Sequence, residues 1–351
     1  EQEDLINLEI ESDVVQSTDS IEIGLVEKTN STDVFYQNGL EQSDLINVKL
    51  IKLEKDTSIE TIYIIATIFT FAFIMGCLKF SNQFTRLGYH GVFLRLFPII
   101  CLAYLTIFTP ETIPDEALHF DSAYQYSNIM MFKANQRSEK RTCDLTYTDT
   151  DSIINKQSYY KVSENHELFC SNAQMQPVSD NLVTNAPIAY VPAAIGIVIA
   201  RIFHLGPLYL YNLGRIFNML ACYGLMYFAI KKIPFGKSML FTLCFLPMVT
   251  HLVCSYSYDG MILSLAFILS AYILDMIYSN KQITKQDIAI VTILSILLAP
   301  CKIVYASICC LTILIPKKNM EEYKFKYWPH VLCILGAVIA IVGVQLTNIS
   351  N

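Results

Sequence analysis

Charge is what this sequence has least of. Of its 351 residues, 16% are Asp, Glu, Lys or Arg, 53% are apolar, and mean hydropathy is +0.41. A soluble domain carries roughly 25% charged residues, so this balance excludes a disordered chain and argues against a soluble enzyme. CxxC pairs and His-rich clusters are missing, which leaves no sequence basis for a structural zinc site. There is no Gly-rich phosphate loop, no Walker pattern, and no basic-aromatic stripe of the kind that binds nucleic acid. Long apolar runs are also absent, but only from Glu1 to Thr57.

From Ile59 onward such runs recur. They are Ile59–Leu78, Val92–Thr109, Pro187–Leu205, Leu208–Ile230, Met239–Ser255, Met261–Tyr278, Ile288–Ala299, Ile303–Ile315 and Pro329–Leu346. A helix needs about 20 mostly apolar residues to cross a hydrocarbon core of about 30 Å. The expected fold is therefore an all-α multi-span membrane protein, with residues 59–351 forming the transmembrane domain.

The net charge of −6 conceals a segregation. Residues 1–58 hold 14 acids and 4 bases (−10), residues 110–186 hold 11 and 6 (−5), and the remainder holds 6 and 15 (+9). Lys and Arg are retained on the cytoplasmic side, so the acidic stretches 1–58 and 110–186 are expected outside. The basic connectors carry Lys79, Arg86 and Arg95; Lys231, Lys232 and Lys237; Lys281 and Lys285; and Lys317, Lys318, Lys324 and Lys326. All four face the cytoplasm only if one apolar segment fails to cross. Pro187–Leu205, with prolines at 187 and 192, is the candidate, lying along or dipping into the outer interface. The alternative is nine crossings. The sequence opens at Glu1 within acidic residues, as expected of a chain whose true start lies upstream. Alternation over Asp44–Leu53 predicts short strands in that segment; a disordered acidic tail is the competing reading. Nine of the eleven cysteines lie in or beside apolar segments, and the other two, Cys143 and Cys170, share the acidic loop 110–186, which suggests a disulfide.

The stretch Thr109-Pro-Glu-Thr-Ile-Pro-Asp-Glu-Ala-Leu-His-Phe-Asp-Ser-Ala-Tyr-Gln-Tyr126 follows a span that emerges outside. Pro114 suits a first helical position, which puts Asp115 and Glu116 in the first turn. Two acids capping a helix would be the plain reading. Against it, Asp115, His119, Ser122 and Tyr126 share one helical face, at a membrane surface where a lipid-linked head group would arrive. A carboxylate there can act as general base, or Asp115 and Glu116 can hold Mg or Mn through oxygen. Arg201, Arg215 and Lys302 interrupt apolar segments, where ionisable residues usually mark function, although snorkelling from a helix end is the alternative. With Asp259 they converge on the outer leaflet, where cations can hold a lipid-carried phosphate.

These residues carry a resemblance. Pro-Asp115-Glu116-x-x-His119 followed by Tyr, Tyr190-Val-Pro, Gly-Arg215-x-x-Asn218, Leu246-Pro-Met, Ser257-Tyr-Asp259, Ala299-Pro-x-Lys302-x-x-Tyr305 and Ile315-Pro together resemble the bacterial membrane family called domain of unknown function 2142. That family looks like a branch of the GT-C glycosyltransferases. The resemblance implies a multi-pass enzyme of the bacterial plasma membrane with a large extracytoplasmic loop. It would move a sugar from a polyprenyl-phosphate carrier to a cell-envelope glycan acceptor. Asp115, Glu116 and His119 would be catalytic, and Arg201, Arg215, Asp259, Lys302 and Tyr305 would bind substrate. The competing functions are a flippase for lipid-linked glycans and a non-catalytic subunit of an envelope assembly complex.

Overall fold

The structure is a computed structural model that describes residues 34–35, 46–47, 68, 72, 75–76, 81–133, 139–147, 167–177, 187–279, 282–320 and 327–350. The chain divides into two units, 1–78 and 79–351. In the first, β1 (Val34–Phe35) pairs antiparallel with β2 (Ile46–Asn47), Val34 opposite Asn47. The second strand falls within the stretch whose alternation predicts strands. Most of the apolar segment Ile59–Leu78 lies outside the described residues.

The second unit is helical. Helix α1 (Ser81–Ile107) is kinked at Gly88, whose φ of 66° favours a residue without Cβ. After a turn comes α2 (Glu116–Met130). A two-stranded ribbon, β3 (Glu139–Arg141) against β4 (Met175–Pro177), covers it. Helix α3 (Pro187–Ile202) leads through Gly206 into α4 (Pro207–Lys232), which starts on a proline and ends on Lys231 and Lys232. Proline's fixed φ suits a helix start, and cations suit the carbonyl end. Next come α5 (Lys237–Cys244), α6 (Pro247–Val253), α7 (Tyr258–Tyr278) and α8 (Lys285–Leu298). Mixed 3-10 and α turns follow over Ile303–Leu314, and α9 (Trp328–Ser350) closes the unit. Helix α8 opens on a capping box in which Thr284 and Asp287 satisfy each other's backbone amides.

One feature departs from the segment-by-segment expectation. The run Met239–Ser255 is not one helix, because Pro247 has no N–H and its ring clashes with the preceding turn. The chain bends at Leu246 and restarts as α6. Pro187–Leu205, expected not to cross, contains α3, which packs on α4. Gly196 packs on Leu213 and Gly214 so closely that a Cβ would sit 2.6 Å from the Leu213 carbonyl oxygen. Thus α3 folds back antiparallel along the first half of α4. It also runs beside α2: Tyr190 meets His119 at one end, and Arg201 meets Ser127 and Asn128 at the other.

Polar groups lie in two belts. At one end Lys232 of α4 pairs with Asp275 of α7, 2.7 Å away, with Asp287 of α8 at 3.9 Å. At the other end Arg215 of α4 bonds the Cys254 carbonyl, and Asp259 of α7 bonds Lys302. From Asp259 to Asp275 the helical rise is about 24 Å, close to a hydrocarbon thickness of about 30 Å. Between the belts the helices show apolar side chains outward, as α9 does with Val331, Leu335, Ile339, Val342 and Leu346. Among the described residues, three helices, Leu87–Ile107, Pro207–Lys232 and Tyr258–Tyr278, are long and apolar enough to cross a membrane, and Ile188–Ile202, Ile303–Leu314 and His330–Leu346 are shorter apolar ones.

Candidate functional site

The turn between α1 and α2 departs from regular helix geometry. Pro114 does not begin the helix, as its sequence context predicts; α2 starts at Glu116, and Asp115 is its N-cap with φ 61° and ψ 12°. Left-handed backbone is uncommon outside glycine, although Asp tolerates it better than most, and such residues cluster at functional sites. The Asp115 side chain makes no capping hydrogen bond and is exposed. The simplest structural job for this carboxylate is therefore not the one it performs.

Around Asp115 stand three groups from separate elements. His119, one turn on, has Nδ1 2.7 Å from the Tyr190 hydroxyl of α3 and meets the Tyr258 ring of α7 edge-on at 4.9 Å. Asp259, the next residue of α7, accepts a hydrogen bond of 2.7 Å from Lys302, whose ammonium lies 5.0 Å from the Tyr258 ring centre. Burial pushes the His119 imidazole below its ordinary pKa, Asp115 and Asp259 pull it back up, and Lys302 lowers it. Asp115, Asp259 and Lys302 are thus each within electrostatic reach of His119. The hydrogen bond to Asp259 raises Lys302 and keeps it protonated. Tyr126 stacks on Tyr190 at 6.0 Å, so the shared face of α2 is turned towards α3.

Glu116, one residue beyond Asp115, does a different job. It is fully buried. Its Oε1 accepts from the Tyr256 amide at 3.1 Å, and its Oε2 from the Thr112 and Ile113 amides at 3.1 and 3.4 Å. Arg215 Nε lies 4.0 Å from Oε1. Burial pushes the carboxyl above its ordinary pKa, while Arg215 and the three amides pull it down. Arg215 itself is enclosed, donating to the Cys254 carbonyl at 2.7 Å and the Phe108 carbonyl at 3.0 Å. This group ties the turn after α1 to α4 and to the start of α7. A shared Asp115–Glu116 metal chelate does not fit, because the Glu116 oxygens are already occupied by backbone donors. Among the described residues no three His, Cys, Asp or Glu side chains are placed to hold a metal ion.

Arg201 is also held away from Asp115. Its guanidinium donates to Ser127 and Asn128, 2.8 and 2.7 Å away, and lies over the Tyr124 ring. Nearby, Lys140 pairs with Asp121, and Arg141 makes a two-point contact with Asp144, which also accepts from Tyr124. A disulfide joins Cys143 to Cys170. Tyr305 is half-buried in the turn after Lys302, its amide bonded to the Lys302 carbonyl. Of the residues singled out in the sequence, the fold therefore gathers Asp115, His119, Asp259 and Lys302. It places Glu116 with Arg215 in one buried group and Arg201 in another. Tyr190 and Tyr258, which line the site, have no charge to betray them in a sequence; their only signal is their place beside Val-Pro and Asp259.

Residues 96–350 match the family described as predicted membrane protein (DUF2142). The chain belongs to that family. The match covers every element just described from the end of α1 to α9. Neither the curated proteins nor the solved structures contain a match to the chain. It is a mostly helical membrane protein, and its apolar helices place it in a lipid bilayer.

Proposed function

We propose that the protein is a multi-pass GT-C-like glycosyltransferase of the bacterial plasma membrane. It takes a sugar from a polyprenyl-phosphate carrier and passes it to a cell-envelope glycan. Asp115 carries the proposal: it is an exposed carboxylate in a left-handed N-cap, unused by its own helix, beside His119 and the Asp259–Lys302 pair. Asp115 takes the proton of the acceptor hydroxyl as that oxygen bonds to the anomeric carbon from the face opposite the carrier. The bond from carbon to phosphate oxygen breaks with its electrons, and polyprenyl phosphate leaves. Lys302 supplies positive charge at the same end of the bundle for the leaving phosphate. Tyr190 and Tyr258 fix the His119 ring. No step is assigned to a metal.

The orientation that goes with this reading has eight crossings, with Lys232 and its belt in the cytoplasm and Asp115 outside. The separation of the two belts and the outward stacking of α2 and α3 against α4 support it. The Asp115→Asn variant tests the chemistry. Asn keeps the shape and tolerates the left-handed backbone, so the protein should insert and fold while transfer falls by about 10²–10⁴-fold. Near-normal transfer would move the base role to Asp259. Near-normal transfer by Asp115→Asn and Asp259→Asn together would favour a flippase, which needs no base.

A further inference from the structure

His251 takes no part in the proposed transfer, yet it grips the turn that presents Asp115. It rides on α6, the short helix that restarts at Pro247, and is half-buried. Its Nε2 lies 3.2 Å from the Thr112 hydroxyl. Its ring centre lies 4.3 Å from that of Phe108 and 6.0 Å from that of Tyr104. All three partners belong to the end of α1 or to the turn that follows it.

That turn needs support. Among the described residues four non-glycine positions have left-handed backbone, and two of them, Glu111 and Asp115, fall within it. Such backbone is strained in a residue with a Cβ and persists where the surrounding structure fixes it. Arg215 holds the Phe108 carbonyl, and the Glu111 amide donates to the Tyr211 hydroxyl. Thr112 joins two further supports: its amide donates to Glu116 at 3.1 Å while its hydroxyl meets His251. The helix that carries His251 is itself fixed. Arg215 donates to the Cys254 carbonyl and Asn218 to the Ser255 carbonyl, at 2.7 and 2.8 Å, which ties the end of α6 to α4. Stacking on Phe108 asks only for a flat ring, whereas the contact with Thr112 asks for a ring nitrogen. That bond forms with either imidazole tautomer, because a hydroxyl both donates and accepts. We propose that His251 is a positioning residue: through Thr112 it holds the strained turn, so that Asp115 keeps its left-handed backbone and its carboxylate stays in the open. The role rests on the reading of Asp115 as the base, but the grip on the turn does not.

Amide hydrogen exchange of the full chain in detergent, read by mass spectrometry on peptides covering 108–117, follows the turn without any sugar donor. A neutral hydrogen bond of this kind shifts a local opening equilibrium about 5-fold. His251→Leu should therefore speed exchange of the amides at 112, 113 and 116 about 5-fold and leave α4 at the parent rate. His251→Gln, whose side-chain amide can reach the same hydroxyl, should restore the parent rate. Thr112→Val removes the other partner at equal volume and should reproduce His251→Leu, and the two changes together should do no more than either alone. In the transfer assay His251→Leu should lower kcat with KM unchanged, and His251→Gln should recover it. Parent-like exchange of the turn in both His251→Leu and Thr112→Val would overturn the proposal. Faster exchange throughout, α4 included, with no recovery in His251→Gln would make His251 a packing residue and overturn it equally. So would a loosened turn with kcat unchanged. A parent protein that transfers no sugar would sink the transferase reading alone, and the exchange rates would still decide the grip.

Discussion

Glu116→Gln separates the two adjacent acids by their physics. The Glu116 and Arg215 side chains are both 0% exposed, and Arg215 Nη2 already lacks a hydrogen-bond partner. Gln keeps the volume but removes the charge that compensates the guanidinium. It also turns one oxygen into an NH2 group, which must face either the Tyr256 amide or those of Thr112 and Ile113, donor against donor. Removing one partner of a buried ion pair typically costs about 3–5 kcal/mol, a large fraction of a total stability of about 5–15 kcal/mol. Asp115→Asn, one residue earlier, removes no hydrogen bond of its helix cap and should stay within about 0.5 kcal/mol of the parent. The assay is the inactivation half-life and helical circular dichroism of purified protein in detergent across temperature, since unfolding of such proteins is read as a rate. Glu116→Gln should shorten the half-life many-fold, and Glu116→Leu combined with Arg215→Leu should cost less than the sum of the two single changes. If Glu116→Gln matched the parent, the buried pair would not be what ties the turn after α1 to α4 and α7.

Further outcomes follow from the same geometry. Reducing the Cys143–Cys170 disulfide opens a loop with a sequence separation of 27; the loss should be about 3–4 kcal/mol of loop stability, read as faster proteolysis of residues 139–177, and unchanged proteolysis would count against it. His119 has its pKa lowered by burial, so its contribution to stability is full above the unfolded value of about 6.5 and is lost as pH falls below it. Melting followed from pH 7.5 to 5 should therefore show a decline that His119→Gln diminishes. Arg201→Leu strips Ser127 and Asn128 of their buried donor and should destabilise by about 1–3 kcal/mol without changing the pH dependence of transfer; a changed pH profile would return Arg201 to the site. Ser238→Cys should react with membrane-impermeant thiol reagents only in opened cells, and labelling of intact cells would restore the nine-crossing arrangement.

The membrane setting is legible in the sequence because burial in lipid is set by composition over about 20 residues, which needs no contact information. The same holds for the segregation of lysines, which is read by counting along the chain. A shared face of α2 follows from helical periodicity, and its Tyr126, Ser122 and His119 do turn together towards Tyr190. What spacing does not encode is which polar neighbour consumes each charge. Asp115 and Glu116 are adjacent and chemically alike, yet a single left-handed residue leaves one in the open and points the other at three backbone amides and Arg215. Arg201, Arg215 and Lys302 look equivalent as cations in apolar segments. Only the antiparallel return of α3 along α4 gives Arg201 to Asn128, and only the approach of the Lys302 turn to α7 gives Lys302 to Asp259. Those pairings join residues 43 to 73 positions apart, and they are decided by helix packing, because burying a charge demands whichever partner the packed neighbour provides.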